Sequence, residues 1–133
     1  MNEQLNRFLE RAADTLEVAD LLLKHEYELA LANRAYYAVF YCISALLLSE
    51  DVIAKSHEGA RSKFHEFFVK TGRFDREISK LIARSAEARQ SADYNMDIDI
   101  TEEQARELLT DAHRFYQMTL DYFQKTTSQT TTK

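Results

Sequence analysis

The sequence has 133 residues, 45% of them hydrophobic, with two glycines, one cysteine and no proline. This length suits one domain with a real core, and so few chain-breaking residues exclude a strand-rich fold full of tight turns. Cys42 is the lone cysteine, which excludes an internal disulfide, and the absence of a secretory or membrane-spanning pattern makes a cytoplasmic protein the expectation. The formal net charge of −5 is spread unevenly: residues 1–54 carry −5, residues 55–89 carry +4 and residues 90–133 carry −4.

The first predicted helix runs from about Glu3 to Lys24. Leu5, Phe8, Leu9, Ala12, Leu16, Ala19 and Leu23 recur on one stripe at the 3–4 spacing of an amphipathic helix. A short turn at His25–Tyr27 leads into a second helix, about Glu28 to Ser49. From Ala35 to Leu48 its only polar groups are Ser44 and the tyrosine hydroxyls. A helix apolar on nearly every side must be covered on most of them. The run is shorter than the ~20 apolar residues of a bilayer span. It is therefore expected to be the central helix of a bundle. Arg34, Tyr37 and Tyr41 share one side of it, and Tyr36, Phe40, Ile43 and Leu47 share another.

After a connector at 50–55, Ser56 is a candidate N-cap for a third helix over about His57 to Lys70. Thr71-Gly72 ends it, with Gly72 suited to a left-handed C′ position. Asp75 is placed to cap a fourth helix, about Arg76 to Ala92, whose apolar side holds Ile78, Leu81, Ile82 and Ser85. An acidic loop follows. Thr101 with Gln104 three residues on has the capping-box pattern and opens a fifth helix reaching about Lys125. Residues 126–133 are Thr/Ser/Gln-rich without an apolar side chain and are expected to form a disordered polar tail. The reading is a single all-α domain over 1–125, a four- to five-helix up-and-down antiparallel bundle.

Two clusters stand out for chemistry. Lys55, Ser56, His57 and Arg61 gather at the start of the third helix, where free N–H groups and the helix dipole favour an anion. Ordinary capping with solvated flanking charges explains the same residues. Arg89 and Asp93 lie four apart near the end of the fourth helix, followed by Tyr94. They can form an i,i+4 ion pair, or Arg89 can bind a phosphate. No metal-ligand spacing and no glycine-rich phosphate loop occurs.

Several segments together resemble the HEPN family: Asn33-Arg34-Ala35-Tyr36-Tyr37-Ala38-Val39-Phe40, the Ser56-His57-Glu58-Gly59 turn, Phe64 to Val69 with Gly72, and Arg89-x-x-Ala92-Asp93-Tyr94. The resemblance covers about residues 5–123 and lies nearest the small stand-alone prokaryotic members. It implies a helical bundle that dimerises, often as the toxin half of a toxin–antitoxin pair with a small nucleotidyltransferase. Active members of the family are metal-independent ribonucleases that use an Arg with a His four to six residues later. Here Arg89 matches the Arg, while Asp93 and Tyr94 stand where the His would fall.

The resemblance therefore implies a dimeric partner of a nucleotidyltransferase-like protein, or a nucleotide-binding module, with a degenerate nuclease site. The alternative is a ribonuclease toxin with a variant site built from Arg89, Asp93, Tyr94 and His57. Whether the chain is an enzyme stays open at this point. Arg34, Tyr37, Lys55, His57, Arg61 and Arg89 are the candidate phosphate contacts, and aromatic packing in the core is the other explanation of Arg34 and Tyr37. No metal, cofactor, DNA or membrane is expected; RNA or a nucleotide is the expected ligand.

Overall fold

The computed structural model describes residues 2–131, with side chains described as far as Thr126. Among the described residues five α-helices follow one another: α1 (Glu3–Lys24), α2 (Glu28–Ser49), α3 (His57–Phe64), α4 (Arg76–Tyr94) and α5 (Glu102–Thr131). No strand occurs among the described residues. The expected all-α bundle is the fold observed.

The helix starts are the ones their side chains dictate. Asn2 Oδ1 accepts from the backbone N–H of Gln4 at 2.7 Å, Ser56 Oγ from Gly59 at 2.9 Å and Asp75 Oδ1 from Glu77 at 3.1 Å. At α5 the capping box closes in both directions: Thr101 N–H donates to Gln104 Oε1 at 2.9 Å, and Gln104 N–H to Thr101 Oγ1 at 3.1 Å.

Helix α2 packs against all four other helices. By length and composition it could cross a membrane, yet 61% of its most apolar window is buried inside the bundle, so it serves as the core. Its covered residues include Leu31, Ala35, Tyr36, Val39, Cys42, Ile43 and Leu46. Burial pushes the Cys42 thiol up to about 12, which keeps it an inert apolar group. A second apolar layer is aromatic. Phe64 stacks on Phe68 at 5.4 Å and meets Phe115 edge-on at 5.5 Å, and Phe74 lies 5.5 Å from Phe64.

Two local expectations are corrected. The third helix is not α-helical to Lys70: after Phe64 the chain widens into a π-helical turn over His65–Val69, where Lys70 N–H reaches back to the His65 carbonyl. The wider turn buries Phe68 and Val69 together while leaving Phe67 half-covered. Gly72 follows at φ +83°, as its left-handed position requires. The backbone of α5 runs past Lys125 to Thr131, since neither glycine nor proline stops it, and the Thr126 hydroxyl donates to the Tyr122 carbonyl at 2.9 Å. The rest of the predicted polar tail, residues 132–133, lies outside the described residues. Along α5, Phe123 is buried, and Tyr116 and Tyr122 are half-buried against the core.

Candidate functional site

Helices α2 and α4 run side by side so that the first half of α2 faces the end of α4. Arg89 sits at this contact. Its Nη2 donates to the Tyr37 hydroxyl at 3.1 Å, and its Nε lies 3.0 Å from Asp93 Oδ2. That N–H does not point at the carboxylate. The contact is an ion pair without a hydrogen bond, and the buried Nε has no acceptor among the described residues. The guanidinium carbon stands 5.3 Å from the Tyr36 ring centre, 5.4 Å from Tyr37 and 5.8 Å from Tyr94. These are cation–π distances, and the three rings cage the charge.

Asp93 is held from a second direction, because Asn33 Nδ2 donates to its Oδ2 at 3.0 Å. Asn33 Oδ1 in turn accepts from Arg34 Nε at 2.9 Å and Nη2 at 2.7 Å. Arg34 lies over the Tyr37 ring at 5.1 Å. One connected set thus runs Arg34–Asn33–Asp93–Arg89–Tyr37.

The third element is α3. Its capped first turn aims His57 and Arg61 at α2. Arg61 Nη1 donates to the Tyr36 hydroxyl at 3.1 Å, and that hydroxyl lies 2.9 Å from His57 Nδ1. The His57 ring stacks on Phe40 at 4.0 Å with a 15° interplanar angle.

This triad fixes the state of His57. Tyr36 is fully buried, and burial raises its pKa, so its single proton stays on the oxygen. Arg61 can only donate. If His57 also donated from Nδ1, the Tyr36 proton would be stranded in the core without an acceptor. The satisfied arrangement has Tyr36 O–H donating to Nδ1, with the imidazole proton on Nε2. Burial and then the charges of Arg89 and Arg61 lower the His57 pKa below 6.5, so the ring is neutral near pH 7. His57 therefore presents an N–H donor and no free basic nitrogen.

A titration follows from this. The unfolded chain protonates His57 near its ordinary 6.5, whereas the folded chain does so only at lower pH. The contribution is complete above 6.5 and is lost as pH falls through that value towards the folded pKa. Nitrogen-15 NMR of the histidine ring is expected to give a midpoint below 6.5 and the Nε2–H tautomer. A midpoint above 6.5 would contradict the described surroundings.

Of the residues singled out in the sequence, Arg34, Tyr37, His57, Arg61, Arg89, Asp93 and Tyr94 come together at this patch. Lys55 does not join the guanidinium cluster; it lies on the connector, exposed, at the rim of a neighbouring groove that His57 also lines. Two members went unread as site residues. Tyr36 appears by spacing as a core ring, and Asn33 joins only through a contact with Asp93 sixty positions away. The available signal for Tyr36 was its hydroxyl, since a buried tyrosine needs a partner where a phenylalanine would not.

The model of the HEPN domain matches residues 5–122 of the sequence. The chain belongs to the HEPN family. Among similar proteins, one from Methanocaldococcus jannaschii named "Putative toxin" is 35% identical over 119 residues, 90% of this chain and 81% of that protein. A UPF0332 protein of Thermotoga maritima is 36% identical over 118 residues, 86% of this chain and 89% of its own length. A second Methanocaldococcus protein, also named "Putative toxin", is 31% identical over 115 residues, 86% of this chain and 85% of its own. In this HEPN chain the histidine nearby is His57, from another helix, and α4 carries none after Arg89.

Proposed function

We propose that this HEPN protein is the binding half of a toxin–antitoxin-type module: it dimerises, associates with a nucleotidyltransferase-family protein, and holds the phosphate of a nucleotide or RNA at the Arg89 cluster. The toxin names of its relatives support the module. The observation that carries the binding reading is the donor set. Arg34, Arg61 and Arg89 converge from three helices with neutral His57 beside them, in an otherwise acidic chain. Donors of this kind suit phosphate oxygens. The carboxylate among them, Asp93, is already engaged by Arg89 and Asn33. Dimerisation draws support from exposed apolar side chains at the same end of α4, Tyr94 at 67% and Met96 at 96% exposure.

The second reading, a ribonuclease toxin, is favoured by the arrival of His57 beside Arg89. General-base work would require the opposite tautomer. Induction of the wild type and of Arg89→Ala in a bacterial host separates the two. Under the binding reading both proteins are soluble and neither arrests growth, while only the wild type binds a nucleotide and its mass in solution is that of a dimer. Arrest by the wild type that Arg89→Ala relieves, with RNA cleavage to match, would overturn it in favour of the nuclease.

A further inference from the structure

Beside the guanidinium cluster lies a groove of about 410 Å³ between the start of α1, the second half of α2 and the connector before α3. Its volume falls in the ~300–1,000 Å³ range of small-ligand sites. Phe8, Phe40 and Ile53 line it with apolar surface, and Gln4, Ser44 and Lys55 supply polar groups. Ile53 is 85% exposed, a large aliphatic side chain left in water at the lip. The side chains of Gln4 and Ser44 make no hydrogen bond among the described residues, so their donors and acceptors are free. His57 belongs to both places. One edge meets Tyr36 in the cluster, its face packs on Phe40, and the ring also lines the groove.

We infer that this groove is a nucleobase subsite: the planar base of a nucleotide, or one splayed base of an RNA, packs against Phe8 and Phe40 while its phosphate is held at His57, Arg61 and Arg89. The inference rests on the phosphate-binding reading above. The occupant follows from the shared residue and from the lining. His57 is the residue the two places share, so a ligand that spans it has its phosphate on the Tyr36 side and its next group on the Phe40 side. Aromatic walls with unengaged amide and hydroxyl groups suit a flat heterocycle with polar edges. Lys55 at the rim adds a cation where a sugar–phosphate chain would leave.

The test compares adenosine 5′-monophosphate with ribose 5-phosphate, titrated into the full chain by NMR or calorimetry. The expected result is at least tenfold tighter binding of the nucleotide by the wild type. Phe8→Leu, which keeps apolar volume and removes the ring, should reduce the nucleotide to near the ribose phosphate affinity and leave ribose phosphate unchanged. Ile53→Ser, a surface change that spares the fold, should weaken the nucleotide alone. Equal affinity for the two ligands, both lost in Arg89→Ala, would overturn the base subsite and leave the phosphate site standing. An unchanged nucleotide affinity in Phe8→Leu and Ile53→Ser would also overturn it. Failure of the wild type to bind either ligand would remove both readings.

Discussion

Phe115→Ala is expected to destabilise the bundle by ~3–5 kcal/mol, the usual cost of emptying a buried aromatic site. Phe115 is fully buried on α5 and joins two layers, meeting Phe64 edge-on at 5.5 Å and Phe74 at 6.1 Å. The loss combines the transfer of the ring out of water with a cavity that cannot collapse. The surrounding rings belong to α3, its π-helical turn and the Gly72 loop, which are tied together by the 2.8 Å hydrogen bond from Phe74 N–H to the Phe68 carbonyl. Domains of this size have ~5–15 kcal/mol in total, so the variant would sit near the edge of folding. Urea unfolding followed by circular dichroism measures it, with the midpoint falling and the slope kept. The exposed pair His113–Asp20, at 2.8 Å between α5 and α1, is the contrasting case. Removing it should scarcely move the midpoint, because an exposed polar pair of this kind contributes little. A loss below ~1 kcal/mol for Phe115→Ala would mean that the aromatic layer is not packed as described.

How far the sequence could be read depended on the range of the interactions involved. Helix α2 was legible because an apolar surface all round leaves it nowhere but the centre. The starts at Ser56, Asp75 and Thr101 were legible because a cap is a bond between residues two or three apart. The Arg89–Asp93 pair was legible for the same reason, one helical turn. What escaped depends on packing between segments. A π-helical turn at His65–Val69 has no signal in a 3.6-residue period, since it arises from fitting Phe68 and Val69 under α5 and α4. Tyr36 and Phe40 were assigned correctly to one face, but a face says where a ring starts and not where the hydroxyl at its far end lands. The site therefore looked like two clusters, one at Lys55–Arg61 and one at Arg89–Tyr94. Tyr36 makes them one, with its hydroxyl between His57 and Arg61 and its ring under Arg89. Lys55 was grouped by sequence proximity alone, and the connector carries it away from the guanidinium groups.

Arg89→Ala should have the largest effect on ligand binding. A charged hydrogen bond to phosphate contributes ~1.5–3 kcal/mol, so affinity for a nucleotide or short RNA should fall about 10- to 100-fold. The charge of Arg89 is only partly spent. Nη2 serves Tyr37 and the ion pair with Asp93 lacks a directed hydrogen bond, which leaves donors for an incoming oxygen. Phosphate would compete with Asp93, and Asn33 would retain the displaced carboxylate through its 3.0 Å hydrogen bond. Arg89→Lys is the sharper variant. It keeps the charge over Tyr36, Tyr37 and Tyr94 but loses the planar fork, and one ammonium cannot serve the Tyr37 hydroxyl and a phosphate with the same geometry. The lysine variant is expected to recover stability and not affinity. Full recovery of binding by lysine would show that the site needs only a positive charge. Affinity unchanged in both variants would move the phosphate away from Arg89 altogether, towards Arg61 and the start of α3.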